Sequence, residues 1–261
     1  MLSTEERRHY IANVSVGTIQ EGRGLRDDSV QVMDMNALPN GLVTGSNLVQ
    51  FPAAASGQLK SSVTLSLLLA QRVASADAAI TTPQQWIQSH NGVLTNLNWL
   101  GEGGGVVESK FSNINVAVHQ AIVPFLTAAF GGALAAGSLI ITALNQLQDM
   151  DKNAPWITLF DRQSQRFNVT EYMFTVVGIE GDTVRISMAT ARLDASFGTT
   201  QVLFFKLTNQ DAKFESASAR FSCQSDLVTE MNSALQTKLQ SLTHSFIASL
   251  PDAVLGAAAG R

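Results

Sequence analysis

The longest stretch without a charged side chain, residues 111–148, constrains the fold more than any other part of this sequence. Its 38 residues include no Asp, Glu, Lys or Arg, and its centre reads AIVPFLTAAFGGALAAGSLIITAL. A run of about 18 or more apolar residues is long enough to cross a bilayer as a helix. Pro124 and the pair Gly131 and Gly132 interrupt this run, and both weaken a continuous helix. We therefore predict two helical halves, at 114–130 and 133–148.

Two interpretations of this apolar run remain open from the sequence. In the first, it is a buried central segment of a soluble domain, covered by helices at 58–80 and 226–250. In the second, it leaves that position and enters a membrane. Leaving the core requires a trigger, and the sequence offers the protonation of His119 or of neighbouring carboxylates at low pH.

Composition and charge exclude several classes of protein. Hydrophobic residues make up 45% of the chain, charged residues 15%, and the formal net charge is −4. No basic run is present to follow a phosphate backbone, so we expect no nucleic-acid partner. The single cysteine, Cys223, excludes an intrachain disulfide and a multi-cysteine zinc site. The N-terminal segment lacks the apolar core of a signal peptide, so we expect synthesis in the cytoplasm, with export or membrane association left open.

The order of the elements predicts an α+β fold, with a mostly antiparallel sheet of four to six strands packed with helices around a central apolar helical segment. We expect a single domain over residues 1–261. Its parts are a strand and loop region at 1–56, a helical region at 57–150, antiparallel strands and a last helix at 151–250, and a mobile tail at 251–261.

Individual elements follow from spacing and from turn residues. Helices are predicted at 58–80, from apolar residues at helical spacing, and after Thr82, an N-cap followed by Pro83. Gly181 and Asp182 separate two strand-like segments and predict a hairpin. Further strands are predicted at 156–160, 202–207 and 213–223. Residues 101–105, GEGGG, are predicted to be a flexible joint or an ordinary surface loop.

The sequence shows no metal motif, no serine-hydrolase turn and no cofactor motif. The remaining candidate site residue is Cys223, because of its position in the chain. It ends a predicted strand and comes just before the predicted helix cap at Ser225 or Asp226. Amides at a helix N-terminus stabilise a thiolate and lower the pKa of a cysteine. Three roles stay open: attachment of an acyl chain, a catalytic nucleophile with His119 or His244 as its base, or a small buried hydrophobic residue.

The layout of the chain resembles the Erwinia virulence factor (Evf) family of bacterial proteins. The shared features are a helix-rich first half, the apolar central run, the segments PWITLF and QVLFFK, and the lone Cys223 before the last helix. Members of this family are α/β proteins that promote persistence in an insect gut and carry a palmitoyl thioester on one cysteine. The resemblance covers most of the chain but no specific motif beyond the cysteine.

The resemblance implies a non-enzymatic bacterial virulence-type effector that interacts with lipid or membrane, with palmitate on Cys223 and no other cofactor. We expect the acyl chain to lie in an apolar cavity bounded by the central helices. The residues expected to line that cavity are Phe125, Phe130, Leu134 and Leu139. The alternatives are an acyl-transfer enzyme with a cysteine nucleophile and a soluble interaction module that binds no lipid.

Overall fold

The computed structural model of this chain describes residues 1–17, 33–110, 116–130, 139–194, 201–207 and 213–259. A mixed sheet of eight strands lies between two layers of helices, which confirms the predicted α+β class. The sheet has more strands than the four to six expected, because several of them are only two to four residues long.

The elements have the following bounds. The helices are α1 (Thr4–Asn13), α2 (Gly57–Ala76), α3 (Pro83–Asn96), α4 (Val118–Phe130), α5 (Leu139–Gln146), α6 (Pro155–Ser164), α7 (Ser225–Glu230), α8 (Asn232–Leu239), α9 (Thr243–Phe246) and α10 (Asp252–Ala259). The strands are β1 (Gly41–Thr44), β2 (Asn47–Gln50), β3 (Leu100–Lys110), β4 (Val116–Ala117), β5 (Gln165–Arg166), β6 (Val169–Glu180), β7 (Thr183–Asp194), β8 (Lys206–Leu207), β9 (Lys213–Gln224) and β10 (Ile247–Ser249). Short 3₁₀ turns occur at Leu147–Asp149 and Val202–Phe204.

The strands of the main sheet follow the order β10-β1-β2-β6-β7-β9-β3, with β5 beside β6. The pair β2–β6 is parallel and the other pairs are antiparallel. The predicted hairpin is confirmed, with Glu180 opposite Thr183 at its turn. β4 and β8 form a separate two-stranded ribbon.

The central strand β6 sends alternate side chains to the two helix layers, as the two-residue period of a strand requires. Met173 and Val177 pack in a first core with α1, α2, α3, α7 and α8, which we call the first layer. Tyr172, Phe174 and Val176 pack in a second core with α4, α5, α6 and α10, the second layer. The face of the sheet that a residue occupies therefore decides which helices it can contact.

The helix buried on every side is α2, and the apolar run at 111–148 does not hold that position. From Ser61 to Gln71 every residue of α2 is buried. Two of its buried hydroxyls are hydrogen-bonded within the helix: Ser62 donates to the Gln58 carbonyl and Ser66 to that of Ser62, whereas the Thr64 hydroxyl has no partner among the described residues. Serines that bond to the preceding turn can be buried at low cost. This explains why a helix of moderate hydropathy occupies the centre.

The prediction that the helices at 58–80 and 226–250 would cover the apolar run is wrong. α4 and α5 lie in the second layer, while α2, α7 and α8 lie in the first layer across the sheet. Residues 131–138, which include the predicted kink at the glycines, lie outside the described residues. α4 and α5, the described helices of the central run, therefore pack one face on the sheet and turn the other toward solvent.

Three local predictions also differ from the structure. Residues 156–160 begin helix α6, because Pro155 opens a helix and the residues after it pack at helical spacing. Residues 202–207 form a 3₁₀ turn followed by the short β8. The predicted last helix at 226–250 breaks into α7, α8 and α9, and its final residues pair with β1 as β10.

The predicted joint and the predicted mobile tail are both ordered elements. Residues 101–105 belong to the edge strand β3, which pairs with β9 over its whole length apart from an irregularity between Gly101 and Gly103. The tail contains α10, whose Val254 is fully buried in the second core. β3 and α10 are each held by contacts with residues distant in sequence, β9 for β3 and the second core for α10. Local composition does not show these contacts.

Candidate functional site

Cys223 lies at the end of β9, opposite Val184 of β7, on the sheet face that carries the first layer. It is a free cysteine and only 5% exposed. The helix that follows it, α7, has six residues, and its N-cap, Gln224, makes no side-chain capping bond. The predicted strand end before a helix is thus confirmed, but the thiol is enclosed in packed apolar residues.

Burial raises the pKa of Cys223 to about 11, although Arg7 and a backbone hydrogen bond from Gln224 act in the opposite direction. The expected lowering by the helix N-terminus is therefore wrong, because desolvation of the charged sulfur outweighs the amides. A thiol in this environment is protonated at neutral pH and behaves as a small hydrophobic residue.

We expect Cys223 to resist alkylation and thiol exchange in the native protein. At pH 8 a thiol with a pKa of about 11 is ionised in about one molecule in a thousand. In protein whose intact mass shows a free thiol, reaction with Ellman's reagent should be at least about 100-fold slower in buffer than in concentrated urea. Equal rates in the two solutions would show that the thiol is accessible in the folded protein.

The histidines considered as a base for Cys223 do not accompany it. His119, on α4, is buried in the second core on the other face of the sheet. His244 lies on α9 with its side chain exposed. Nucleophilic catalysis needs an imidazole within hydrogen-bond reach of the sulfur. The cysteine–histidine pair expected for an acyl-transfer enzyme is not assembled between Cys223 and His119.

The residues expected to line an acyl cavity also lie across the sheet from Cys223. Phe130 and Leu139 are buried in the second core, and Phe125 packs half-buried against it. Leu134 lies outside the described residues. A chain attached to Cys223 would start on the first-layer face, so it would have to cross the sheet to reach these side chains. The structure thus separates the two parts of the predicted site.

α4 and α5 expose a surface without charge. Neither helix contains Asp, Glu, Lys or Arg, and the same holds for the residues that join them in sequence. The exposed positions of α4 are Gln120, Pro124, Thr127 and Ala128, with Val123 half-exposed beside them. Pro124 lacks the amide hydrogen that would continue the ladder of this helix. The outer side of α4 is therefore mostly apolar or weakly polar.

Two contacts fix the start of α4 to the turn at Val202–Phe204. The Val118 amide donates to the Phe205 carbonyl at 3.0 Å, next to the β4–β8 ribbon. Nδ1 of His119 lies 2.8 Å from the Leu203 carbonyl oxygen, to which it donates in the matching tautomer. Burial lowers the pKa of His119 below its ordinary value, so the imidazole is neutral near pH 7.

Asp161 holds the same turn from the other side. This carboxylate of α6 is 1% exposed and accepts hydrogen bonds from the Tyr172 hydroxyl and from the Val202 amide, the latter at 2.9 Å. Burial raises the pKa of Asp161 to about 6 against the effect of these donors. Burying a carboxylate without a cationic partner is costly, and Asp161 has none among the described residues. Its perturbed pKa therefore makes it a candidate functional residue.

Sequence reasoning missed Asp161 although a signal was present. Ile157, Phe160, Asp161 and Ser164 are all buried and follow the i, i+3, i+4, i+7 spacing of one helix face. Once residues 156–160 are assigned to a strand, that spacing loses its meaning and the aspartate appears to be a surface residue. A correct helix assignment would have placed a carboxylate on an apolar helix face.

Among the described side chains, no group of three His, Cys, Asp or Glu residues is placed to hold a metal ion. In the described ranges, every helix falls short of the length and hydropathy needed to cross a membrane.

Several solved structures resemble this fold at low similarity, among them the Evf virulence factor and a delta-endotoxin. The Evf virulence factor is 11% identical, with a TM-score of 0.36, and the match covers 94% of this chain and 92% of that protein. A delta-endotoxin is 13% identical, with a TM-score of 0.33, and the match covers 77% of this chain and 88% of that protein. No family model and no curated protein matches the sequence. The resemblance to Evf is thus a loose structural one, and neither likeness carries information on activity.

Proposed function

We propose that this protein is a non-enzymatic lipid-binding protein that meets a lipid surface with the outer side of α4 and α5. The observation that carries the proposal is the absence of charged side chains from these two helices, together with the exposed apolar atoms of α4. A charged side chain costs about 2.5–3.5 kcal/mol at the centre of a membrane helix, and an uncharged helix face avoids that cost.

The exposed side chains of α3 differ from those of α4. α3 also lacks Asp, Glu, Lys and Arg, but its exposed positions carry side-chain amides and a hydroxyl, at Gln84, Gln85, Gln88 and Thr95. Moving such groups out of water without new hydrogen bonds is unfavourable. On α4, Gln120 and Thr127 are the exposed polar side chains, and Pro124, Ala128 and the half-exposed Val123 take the remaining outer positions. Of these two uncharged helices, α4 is thus the one suited to an apolar surface.

The cost of exposing the inner faces of α4 and α5 distinguishes binding at a lipid surface from insertion into it. Seven large apolar side chains hold α4 and α5 in the second core: Val118, Ile122, Leu126, Phe130, Leu139, Ile140 and Leu144. Exposing them to water costs about 1.5–3 kcal/mol each, or roughly 10–20 kcal/mol together. That equals or exceeds the stability of a typical domain. The helices therefore stay on the sheet during first contact, and they leave it only where lipid receives their inner faces.

We expect Thr127→Asp to weaken binding to phosphatidylcholine vesicles about tenfold or more in a flotation assay. Thr127 is exposed on α4 and its hydroxyl donates only to the Val123 carbonyl one turn earlier, so the fold does not require this side chain. A carboxylate on the binding face must be desolvated, and about 1.4 kcal/mol of that cost already gives a tenfold change.

The chain offers a closely matched control in Thr237→Asp. Thr237 is likewise exposed on a helix, α8, and its hydroxyl donates to the Ser233 carbonyl at the same 3.0 Å. It lies in the first layer, so its variant should bind vesicles as the unaltered protein does. Equal loss of binding in both variants, or no loss in either, would contradict the proposed surface.

Acylation of Cys223 and a virulence role are separate proposals that rest on the resemblance to the Evf family. Any acyl chain on Cys223 would begin among the first-layer side chains near Val184 and α7, away from α4. The intact mass of protein purified from its native host tests the modification directly. A mass equal to that of the bare polypeptide would contradict acylation and would leave the surface proposed on α4 untouched.

A further inference from the structure

A trough runs along the first-layer face of the sheet beside α3. Two cavities, of about 240 Å³ and 530 Å³, share Ile87, Thr190 and Ala217 in their walls and therefore adjoin each other. α3 forms one side of the trough, and strands β7, β9 and β3 form its floor. The combined space falls in the range of small-molecule sites, which are typically about 300–1,000 Å³.

The floor of the trough is long and mostly apolar, with Arg220 as the charged residue in the wall of the larger cavity. Ala217, Ala219 and Phe221 follow one another along β9, with Met188 beside Ala219 on β7 and Gly104 beside it on β3. Alanine and glycine at these positions leave the space that larger side chains would fill. From residue 215 to residue 221 the strand advances by about 20 Å, at about 3.4 Å per residue. These dimensions suit an extended hydrocarbon chain.

One end of the trough carries an excess of negative charge. Glu171, Arg192 and Glu215 stand side by side on three neighbouring strands. Arg192 donates to Oε2 of Glu171 at 2.7 and 2.9 Å through Nη2 and Nε, and to Oε2 of Glu215 at 2.8 Å through Nη1. Two carboxylates thus share one guanidinium, and only the wall residues Arg192 and Glu215 reach the cavity.

Among Glu171, Arg192 and Glu215 the imbalance is one negative charge. The guanidinium of Arg166 lies nearby, with Nη2 3.5 Å from the main-chain carbonyl of Glu171, but it contacts Ser46 and the Trp86 ring rather than the cavity wall. Glu171 is completely buried, and its Oε1 has no hydrogen-bond partner among the described residues. The side chain of Glu215 is 34% exposed, at the mouth of the smaller cavity. A buried carboxylate oxygen without a partner is costly, and a nearby positive charge would offset part of that cost.

We propose that the trough binds a molecule with a long apolar chain and a single cationic group, with the cation beside Glu215 and the chain over Ala217 and Ala219. Charge complementarity favours an ammonium over a carboxylate, because Arg192 already directs its donors to two glutamates. The site lies across the sheet from α4 and α5, so this proposal is independent of the proposed lipid surface and can be tested separately.

The test compares two probes of equal chain length, dodecylammonium and dodecanoate, each below its micelle-forming concentration. Isothermal titration of the full chain should show about one site per molecule and at least about tenfold tighter binding of dodecylammonium. Glu215→Gln should reduce this preference to less than about threefold. Because the protein carries a net charge of −4, which attracts any cation, the control is Asp182→Asn, an equal charge change at an exposed turn.

A second pair of variants tests the floor of the trough. Ala219→Leu fills it and should weaken both probes at least about tenfold. Ser187→Leu places the same side chain at a half-buried position on the other face of the sheet and should leave both affinities unchanged. Equal affinity for the two head groups, or full binding by folded Ala219→Leu protein, would overturn the proposal.

Discussion

Between pH 6.5 and pH 4, the free energy of unfolding of the unaltered protein is expected to fall by about 3 kcal/mol more than that of the His90→Phe variant. His90 is completely buried on α3, stacked on Trp86 with ring centroids 5.4 Å apart, and its Nε2 has no hydrogen-bond partner in the described part of the chain. Burial lowers the pKa of His90 to about 4, and the nearby Arg166 acts in the same direction.

The sign of this pH dependence follows from the linkage between proton binding and folding. The folded protein keeps His90 neutral, whereas the unfolded chain takes up a proton below its ordinary pKa of about 6.5. The stabilisation is therefore complete above pH 6.5 and is lost as the pH falls toward 4. Urea unfolding at pH 7, 5.5 and 4 measures the effect as a difference between variant and unaltered protein. Gln88→Ala, at an exposed position of the same helix, is the control and should keep the original pH dependence.

Asp161→Asn is expected to change the pH dependence in the opposite direction by a similar amount. Burial raises the pKa of Asp161 to about 6, so the folded protein takes up this proton before the unfolded chain does. Protonation of Asp161 thus stabilises the fold by up to about 3 kcal/mol as the pH falls from 6 to about 3.9. The asparagine variant lacks this gain and should lose stability on acidification relative to the unaltered protein.

The same urea series tests the aspartate. A variant curve parallel to the original between pH 6 and pH 4 would show that Asp161 does not titrate in this interval. His90 and Asp161 oppose each other, so their contributions nearly cancel in the unaltered protein. The two single variants should therefore diverge on acidification, with His90→Phe gaining relative stability and Asp161→Asn losing it.

These signs bear on the low-pH trigger expected for release of the apolar run. Of the groups at the Val202–Phe204 turn, His119 has the required sign, because its charged form is disfavoured in the folded protein. The carboxylate that faces the same turn, Asp161, has the opposite sign, so the expectation that a neighbouring carboxylate would act with His119 is wrong there. Two described lysines lie close to this turn: Lys152, whose Nζ is 5.1 Å from the centroid of the Phe204 ring, and Lys206, which pairs with Ala117.

Local sequence signals predicted the elements whose causes are local. The N-cap Thr82 followed by proline begins α3, and the Gly181–Asp182 turn joins β6 to β7. Both rest on backbone preferences that act within a few residues. The alternation of Lys213–Cys223 likewise predicted β9, in which alternate residues from Ala219 to Cys223 face the first core.

What the sequence could not supply was the face of the sheet on which each helix packs. Cys223 and Phe130 are both apolar and both buried, and nothing in their neighbourhoods states that a sheet separates them. The glycines of 101–105 are ordered only because β9 pairs with them, and residues 247–249 are a strand only because β1 is there. The candidate site was for this reason assembled from parts that the fold keeps apart.

The pairing of β10 with β1 has a consequence for the order of synthesis. β1 is complete when residue 44 has been added, but its outer neighbour arrives only with residues 247–249. At about 5–20 residues per second, translation of the intervening chain takes roughly 10–40 s. Throughout that interval the edge of the β1–β2 hairpin has unpaired amides and carbonyls beside apolar Leu42 and Val43, a surface that invites pairing with other chains. Protection of the nascent chain by a chaperone would matter most at this hairpin.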